Sequence, residues 1–452
     1  MKEDLALFEE VRRSVPAYRK FLAEKNIGPV REWSEVPLCC KKDYLQSFPL
    51  EELFREGRLG DCFLIGTSSG FSASGSQLWL KQADDEEAYL EAVRELLVHD
   101  YAIDRKSTLI IVSLALGTWI GGLQLACVMR GLAARTPGVS VATPGMDLKE
   151  SVYIATTMGP HFEQIVWISN PSSIAVIYSL LRETPELLTG RISFAVVGEF
   201  FSETFRETTA RNFGHPADNP YAVKTGYGSA DAGDLGIESE ATIRVRKFLC
   251  RHPEIAGSLF GDQVVPMLLV PSGHARLEIV DGSLVVSKDQ FIPLIRYDTG
   301  DRGQLLSRED LAAAGVDREL VEALPEETLA IFGRSDNDIV FYGTNLDVNR
   351  IGGFLETLDP GFSYGGLFEI RPREEAGISW YEFTVYVLES REGLADAYRD
   401  LLLEYLKNVS NEFASKYDRL KKAVGRDLIT VTLADIRKKR NANKHRTIHR
   451  ED

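Results

Sequence analysis

The chain has 452 residues, of which 44% are hydrophobic and 26% are charged, and its formal net charge is -15. That length is too great for one ordinary core, so we expect two or more domains, each with a sizeable apolar interior. The negative balance argues against nucleic acid as a principal partner, because binding the phosphate backbone requires a surplus of Lys and Arg on the contacting face.

The N-terminal stretch is acidic and amphipathic and has no apolar signal core, which argues against secretion. The five cysteines form no CxxC pair and show no metal-ligand spacing, so we expect reduced, mostly buried thiols and a cytoplasmic location. Residues 108–129 carry no charge, but Gly117, Gly121 and Gly122 divide them into a strand-length run and a helix-like segment. We therefore expect no transmembrane helix.

Strand-like and helix-like segments alternate through the first half of the chain. Such alternation predicts an α/β fold with mostly parallel sheets covered by helices on both faces. The predicted strands are 107–116, 164–169 and 191–199, and the predicted helices are 84–101, 147–159, a helix opened by Asn170, and 202–213.

From about Gly261 the sequence pattern changes to short alternating strands with turn residues, which predicts a small β-rich subdomain over about 261–335. A third pattern follows Asp336, with a strand at 380–388, a long helix near 393–415 and a strand at 427–435. We therefore predict a large N-terminal domain at 1–335 and a compact α+β C-terminal domain at 336–452.

A loop rich in Ser and Gly follows a strand-like run at 62–66. Glycines let a backbone approach a polyanion, and hydroxyls with free amides can bond its oxygens, so the loop from Thr67 onward is a candidate phosphate cradle. Gly70–Gly75 has the glycine spacing of a Walker A loop but lacks its Lys-Ser/Thr ending. Gly66–Gly70 fits the GxSxG nucleophile elbow of serine hydrolases, although that motif needs a helix directly after the serine. A plain surface loop also remains open.

Three further motifs combine glycine with hydroxyls or carboxylates at predicted turns: Tyr227–Asp231, Tyr297–Asp301 and Gly333–Asp336. A basic tail containing Lys444 comes after them. Each motif alone is compatible with an ordinary turn, and the tail alone with a solvated basic end.

The four motifs in this order resemble those of the adenylate-forming superfamily of acyl-CoA synthetases, adenylation domains and luciferases. Within it the chain is most similar to the phenylacetate-CoA ligase branch, through residues 15–45 (VPAYRKFLAEKNIGPVREWSEVPLCCKKDYL) and residues 333–351 (GRSDNDIVFYGTNLDVNRI). The resemblance covers nearly the whole chain, and it implies that the C-terminal domain is mobile.

The resemblance also implies roles for individual residues. Lys444 is the expected catalytic lysine, Asp231 the expected Mg²⁺ ligand, and Asp336 the expected hinge of the C-terminal domain. Tyr227 is expected to stack on adenine and Asp301 to bond both ribose hydroxyls. The expected nucleotide-binding residues are Thr67, Ser68, Ser69, Gly70, Gly198, Glu199, Gly226, Tyr227, Gly228, Ser229, Asp301 and Arg334, and the expected acyl-pocket residues are Trp119, Gly198 and Gly228.

The chain departs from the family pattern at several of these positions. Gly75 is followed by Ser76 and Gln77 where the family usually has Lys, and Ala230 lacks the usual hydroxyl. Asp231 replaces a longer Glu but keeps the carboxylate that a hard cation requires.

The expected activity is ATP-dependent and Mg²⁺-dependent activation of a small, aromatic carboxylic acid, followed by transfer to coenzyme A. Transfer to an amine or to a carrier-protein thiol is the main alternative. A serine hydrolase and a non-catalytic relative are the other readings of the same residues. A homodimer is a further expectation, and no membrane partner is expected.

Overall fold

The structure is a computed structural model. It describes residues 2–67, 78–261, 264–334, 338–341, 344–375, 378–439 and 447–448.

Two helices open the chain and lead to a short strand that joins a sheet built mostly from later residues. Their bounds are α1 Lys2–Ser14, α2 Pro16–Glu24 and β1 Cys39–Cys40, and a single π-helical turn follows at Lys41–Leu45. Strand β1 runs parallel to a segment more than half the chain away, with Cys39 opposite Tyr297. The N-terminal residues are thereby fixed beside the third of the four motifs.

Consecutive strand–helix units build one half of a large sheet. After the antiparallel hairpin β2 Leu64–Thr67 and β3 Leu78–Lys81, the strands are β4 Thr108–Ser113, β5 Val139–Ala142, β6 Gln164–Ser169, β7 Ile192–Val197 and β8 Val223–Ser229. The helices are α3 Ala83–Tyr101, α4 Ile120–Arg135, α5 Leu148–Met158, α6 Pro171–Leu181 and α7 Glu203–Asn212. Strands β5, β4, β6, β7 and β8 are parallel neighbours in that order.

Helices cover both faces of this parallel half, as the sequence predicts. Trp167 of β6 packs toward α5, α6 and α7, whereas its neighbour Val166 packs toward α3 and α4. Every residue of β4 is buried, which is why its sequence is continuously apolar rather than alternating.

The other half of the same sheet is antiparallel. Its strands are β9 Gly233–Ile237, β10 Met267–Pro271, β11 Arg276–Val280, β12 Ser283–Lys288, β13 Leu294–Ser307 and β14 Glu327–Arg334, with helices α8 Glu240–Arg251, α9 Pro253–Phe260, α10 Arg308–Ala314 and α11 Arg318–Glu322. Strand β10 pairs with both β9 and β14, so the strands after Gly261 continue the large sheet. Over the described residues the sheet has twelve strands, in the order β11-β12-β13-β14-β10-β9-β8-β7-β6-β4-β5, with β1 on β13.

A separate small sheet lies near the C-terminus. Its strands are β17 Tyr364–Glu375, β18 Ile378–Val387 and β19 Ile429–Asp435, preceded by the hairpin β15 Asp338–Phe341 and β16 Thr344–Asp347 and by helix α12 Val348–Glu356. The single long helix predicted near 393–415 is wrong. Two helices, α13 Leu394–Val409 and α14 Asn411–Val424, meet at Ser410, whose extended backbone ends the first and whose side chain caps the second by accepting from Phe413 N at 3.1 Å.

One face of the small sheet packs on its own helices, and the other packs toward the helices of the large sheet. Leu367 and Ile436 belong to the same hydrophobic core as the large sheet, and a Cβ added at Gly366 would lie 3.6 Å from Phe205 of α7. Tail residues Arg437 and Lys439 lie close to helices α5 and α6.

The structure bears on two sequence-based expectations, the lack of a transmembrane helix and the burial of the cysteines. Within the described ranges, no helix has both the length and the apolar character needed to cross a membrane. The expectation that the cysteines are mostly buried is wrong: all five are free thiols, but only Cys39 is buried and Cys250 is exposed.

Candidate functional site

The carboxyl ends of β7 and β8 meet at one edge of the sheet, and three glycines shape the backbone there. Gly198 follows β7 with φ 88°, which favours glycine. Gly226 and Gly228 lie in β8, and a Cβ at Gly228 would come within 2.3 Å of the Gly233 carbonyl oxygen across the β8–β9 hairpin. These glycines leave main chain, rather than side chains, lining the edge where ligands bind in open α/β sheets.

Tyr227 and Asp301 are brought together from two motifs that lie far apart in the sequence. The Tyr227 hydroxyl donates to Asp301 Oδ2 at 2.6 Å. Asp301 N donates to Thr299 Oγ1 at 3.2 Å, and Gly300 supplies the positive φ of 75° that this turn requires. A carboxylate of β13 and an aromatic ring of β8 are thus held side by side.

The fourth motif reaches the same place through strand pairing. Arg334, the last residue of β14, lies opposite Asp301 in the β13–β14 register. Ser335 and Asp336, which complete that motif, lie outside the described residues.

Asp231 lies in the turn that follows β8, and its carboxylate already has two partners. The Tyr297 hydroxyl donates to Asp231 Oδ2, and Lys41 Nζ lies 3.6 Å from Asp231 Oδ1. Gln290 Nε2 donates to the Asp231 main-chain oxygen at 2.8 Å. Burial and the neighbouring Asp231 charge raise the pKa of the Tyr297 hydroxyl, which keeps it a donor. Sequence reasoning missed Lys41, because only the fold brings the N-terminal π-helical turn to this motif.

A divalent cation would find one suitable oxygen donor group here, the Asp231 carboxylate. Among the described residues there is no group of three or more His, Cys, Asp or Glu side chains that could hold a metal ion without help. The assignment of Mg²⁺ to Asp231 stays a prediction, with ligand oxygens needed to complete the coordination.

Glu199 follows Gly198 and is held by the first turn of α6. Its two carboxylate oxygens accept from Ser172 N at 2.8 Å and from Ser172 Oγ at 2.9 Å. The positive end of the helix favours this charge. Ser229, two residues before Asp231, accepts a hydrogen bond from Ala232 N at 3.0 Å and so closes the β8–β9 turn.

The β2–β3 hairpin brings Thr67 to Trp119, another of the predicted site residues. Thr67 forms a bridge with Trp119 and its hydroxyl lies 3.2 Å from Thr118 Oγ1. A Cβ at Gly66 would lie 2.7 Å from Ile120, so this glycine is explained by close packing of β2 on α4. Ser68, Ser69 and Gly70 lie outside the described residues. The next described element is the antiparallel strand β3, whereas a nucleophile elbow requires a helix.

The tail that contains Lys444 is fixed on both sides of the undescribed residues 440–446. Lys439, with a side chain only 11% exposed, has its Nζ 3.6 Å from Glu369 Oε1 and lies over the Tyr386 ring. Burial lowers the pKa of Lys439, and the charges of Glu369 and Glu199 act against that shift. On the far side, Ile370 N donates to the Thr447 main-chain oxygen at 2.6 Å. Lys444 itself lies outside the described residues.

A cavity of about 370 Å³ lies between α5, α6 and this tail. Three cations, one carboxylate and four apolar side chains line it: Met146, Asp147, Leu148, Lys149, Val176, Leu180, Arg437 and Lys439. Of the predicted site residues, Glu199 lies near enough for its charge to act on Lys439 in the cavity wall.

Comparisons with known proteins bear on the fold. No family model matches the sequence, and no curated protein matches it. Among solved structures, 2-hydroxyisobutyryl-CoA ligase in the postadenylation state is 15% identical and has a TM-score of 0.62 over 99% of this chain and 88% of that chain. An acyl acid amido synthetase in complex with 2,4-DB is 11% identical, with a TM-score of 0.61 over 98% and 89%.

The chain has the adenylate-forming fold. An open conformation of the same CoA ligase, in complex with 2-HIB-AMP and CoA, also matches, at 16% identity and a TM-score of 0.51 over 100% of this chain and 90% of that chain. In this chain, the adenylate-forming fold brings Tyr227, Asp301 and Arg334 to one edge of the large sheet. The same fold places the small sheet and the basic tail beside that sheet's helices.

Proposed function

We propose that this chain is an ATP-dependent, AMP-forming carboxylate ligase. The observation that carries the proposal is the Tyr227–Asp301 contact, with Arg334 opposite Asp301, at the glycine-lined edge of a sheet of the adenylate-forming fold. An aromatic ring beside a carboxylate suits a nucleoside, because the ring can stack on the base and the carboxylate can accept from both ribose hydroxyls.

The proposed reaction has two steps. An oxygen of the substrate carboxylate attacks the α-phosphorus of ATP, the bond to the β-phosphate oxygen breaks, and pyrophosphate leaves. In the second step a nucleophile attacks the carbonyl carbon of the acyl-adenylate and AMP leaves. Both steps build negative charge on phosphate oxygens, so fixed positive groups and main-chain donors accelerate them.

Each predicted site residue has a proposed role in these steps. Gly198, Gly226 and Gly228 let main chain approach the nucleotide and the acyl group, and Thr67 begins the phosphate loop that Ser68, Ser69 and Gly70 continue. Glu199, Ser229 and Arg334 complete the nucleotide contacts in this assignment. Mg²⁺, when bound with ATP, supplies positive charge at the phosphates, and Asp231 is the carboxylate that we assign to it.

Domain rotation is the proposed means of separating the two steps. We assign residues 1–335 to the large domain and 336–452 to the mobile one, with Asp336 as the hinge and Lys444 as the cation delivered for adenylation. The ion pair between Lys439 and Glu369, with the charge of Glu199 nearby, supports a tail whose position depends on the domain arrangement.

For the acceptor we propose the thiol of coenzyme A, since a CoA ligase shares the fold over nearly the whole chain. The second candidate is an amine, because an acyl acid amido synthetase shares the fold with a similar TM-score. A carrier-protein thiol is the third. Trp119, half-buried beside the phosphate loop, supports a small aromatic acid. A cytoplasmic location and a homodimer stay predictions.

A pyrophosphate-exchange screen across aryl, arylacetic, fatty and amino acids tests the proposal. We expect exchange that requires ATP, Mg²⁺ and one class of acid, followed by product formation when coenzyme A, an amine or a carrier thiol is supplied. The Asp301→Ala variant, with its weakened ATP binding, is the matched control for the nucleotide requirement. Ester hydrolysis without any nucleotide would overturn the ligase in favour of the hydrolase, and tight ATP binding without exchange on any acid would indicate a non-catalytic relative.

A further inference from the structure

Three lysines from separate parts of the chain surround the turn between β8 and β9. Lys41 comes from the N-terminal π-helical turn and pairs with Asp231 at 3.6 Å. Lys81 ends β3, and Lys288 ends β12. If Gly233 carried a Cβ, that atom would lie 3.4 Å from Lys81 Nζ and 3.3 Å from Lys288 Nζ. Because the chain as a whole carries a net charge of -15, this cluster of ammonium groups is a local feature and does not reflect a generally basic protein.

Lys288 is fixed by the turn that it adjoins. Its ammonium group donates to the Ala232 oxygen at 2.8 Å and to the Asp234 oxygen at 3.3 Å. An ammonium group has three N–H donors, so one remains for a ligand. Lys288 therefore combines a structural contact with a donor that can point away from the turn.

Lys81 is different, because its half-buried ammonium group makes no hydrogen bond or ion pair with any residue that the structure describes. Burial lowers its pKa, and the carboxylates of Asp85 and Glu86 oppose that shift only through their charge. Burial and the charge of Lys81 also lower the pKa of Lys288. Both lysines are thus held in surroundings that disfavour their charged forms.

Two ammonium groups placed together without a bonded counter-ion destabilise the folded chain unless an anion joins them. The nearby carboxylates of Asp85, Glu86 and Asp234 moderate that cost. None of them is bonded to Lys81 in the described part of the chain. Among the described residues the pair lacks a bonded counter-ion, and an anion that accepts from both lysines would supply one.

We propose that Lys81 and Lys288 form an anion subsite that holds the pyrophosphate portion of ATP. The proposal rests on the proposed function, and it adds two residues that none of the four motifs contains. Lysines bind phosphate oxygens as compact point charges, and this pair adjoins the turn of Asp231, the carboxylate assigned to Mg²⁺. The negative phosphates and the two ammonium groups would then neutralise one another beside this turn.

The affinities of the full chain for inorganic pyrophosphate, ATP and AMP test this subsite. We expect Lys81→Met to weaken pyrophosphate and ATP binding by about tenfold, the scale of one charge-assisted contact, and AMP binding by less than about twofold. Lys81→Arg should retain most of the affinity, and the exposed Lys106→Met is the matched control. Since Lys81→Met removes an unpaired charge, its melting temperature should equal or exceed that of the wild type, which separates lost binding from misfolding.

Equal losses for AMP and pyrophosphate, unchanged pyrophosphate affinity in Lys81→Met, or a wild-type chain that does not bind pyrophosphate would overturn the subsite. A raised KM for the acid with normal pyrophosphate affinity would also overturn it, because the lysines would then bind a second charge on the substrate. If Lys81→Met weakens pyrophosphate binding while no acid supports exchange, the subsite stands and the ligase function fails. If an acid is activated and pyrophosphate affinity is unchanged, only the subsite fails.

Discussion

At the scale of single residues, the candidate site depends on side chains that pair across long sequence distances. Tyr227 and Asp301 are separated by most of the antiparallel half of the sheet, yet their side chains are hydrogen-bonded at 2.6 Å. Each belongs to a motif that is visible in the sequence. Lys41, Lys81 and Lys288 belong to no motif, and only the folded chain shows that they converge on the turn after Asp231.

Asp301→Ala should weaken ATP binding by about 10- to 100-fold, the range expected for losing hydrogen bonds to a charged group. The fold should persist, because main-chain and Thr299 contacts hold the turn of Asp301. Calorimetric titration of ATP measures the effect, and the exposed Glu309→Ala is the control for lost negative charge. An unchanged ATP dissociation constant in folded Asp301→Ala would remove this residue from the nucleotide site.

Lys444→Ala should slow adenylate formation by on the order of 10² to 10³, the scale for losing one preorganised electrostatic contact. Lys438→Ala is the matched control, because Lys438 is an exposed lysine in the same tail. Rates of pyrophosphate exchange under saturating ATP and acid measure both variants. Exchange at the wild-type rate in Lys444→Ala would shift the catalytic assignment to another cation, with buried Lys439 the first to test.

At the scale of secondary-structure elements, helix α12 meets helix α7 through a carboxyl group with a shifted pKa. Ser202, the N-cap of α7, donates to Glu356 at the end of α12. Burial raises the pKa of Glu356 to about 7, while Ser202 and the charge of Arg246 oppose the shift. Tyr364, whose own pKa is raised by burial, is the other titratable group beside it. Burial outweighs both of these contacts, so the neutral carboxyl is favoured at this position up to about pH 7.

The sign of the pH dependence follows from that shift. Because the folded-state pKa lies above the ordinary value, the Glu356 contribution to stability is full below about pH 4.5 and is lost as pH rises through about 7, a change of about 3 to 4 kcal/mol. Thermal unfolding of wild type and Glu356→Gln should therefore coincide below about pH 4.5 and diverge by about pH 8, with Gln the more stable. Parallel curves over that range would mean that Glu356 does not titrate in the contact.

Elements with a strong periodic or apolar signal were predictable, and those defined by tertiary pairing were not. Strand β6 has the predicted bounds, because four consecutive apolar, β-favouring residues form its centre. The helix break at Ser410 was not predicted, since one serine inside an amphipathic pattern is compatible with a continuous helix until the cap is seen. Strand β1 has only two residues and exists because β13 offers a free edge there.

At the scale of the whole molecule, the basic tail connects the small sheet to the large domain. Lys439 pairs with Glu369 of β17, and the charge of Glu199 acts to raise the pKa of Lys439. Glu199 is itself held by a hydrogen bond from Ser172 of α6. Tyr386 donates to the same Glu369 carboxylate at 3.0 Å, so the cation, the carboxylate and the phenol form one network. The neighbouring residue Ile370 pairs with the end of the tail.

Lys439→Met should weaken the docking of the tail on the small sheet, because it removes the Lys439 cation from the largely buried Glu369 carboxylate. We expect amide hydrogen exchange at Ile370 and at residues 436–439 to rise by at least about threefold, with no change in α13. The exposed Lys438→Met is the control, and Lys439→Arg should restore protection. Equal exchange in Lys439→Met and wild type would show that the tail is held by main-chain contacts alone.

The pairing of β1 with β13 has a consequence for how the chain is made. Cys39 has its sheet partner at Tyr297, and the Trp33 indole has its partner at Glu278, at 2.7 Å. During synthesis, at 5 to 20 residues per second, the ribosome adds about 250 residues between the two partners, a wait of roughly 13 to 50 s. Throughout that interval the aromatic residues around Tyr18 and Tyr44 can cluster with one another but cannot dock on their sheet. The N-terminal segment therefore stays undocked long after its own synthesis, with its aromatic residues exposed to aggregation during that interval.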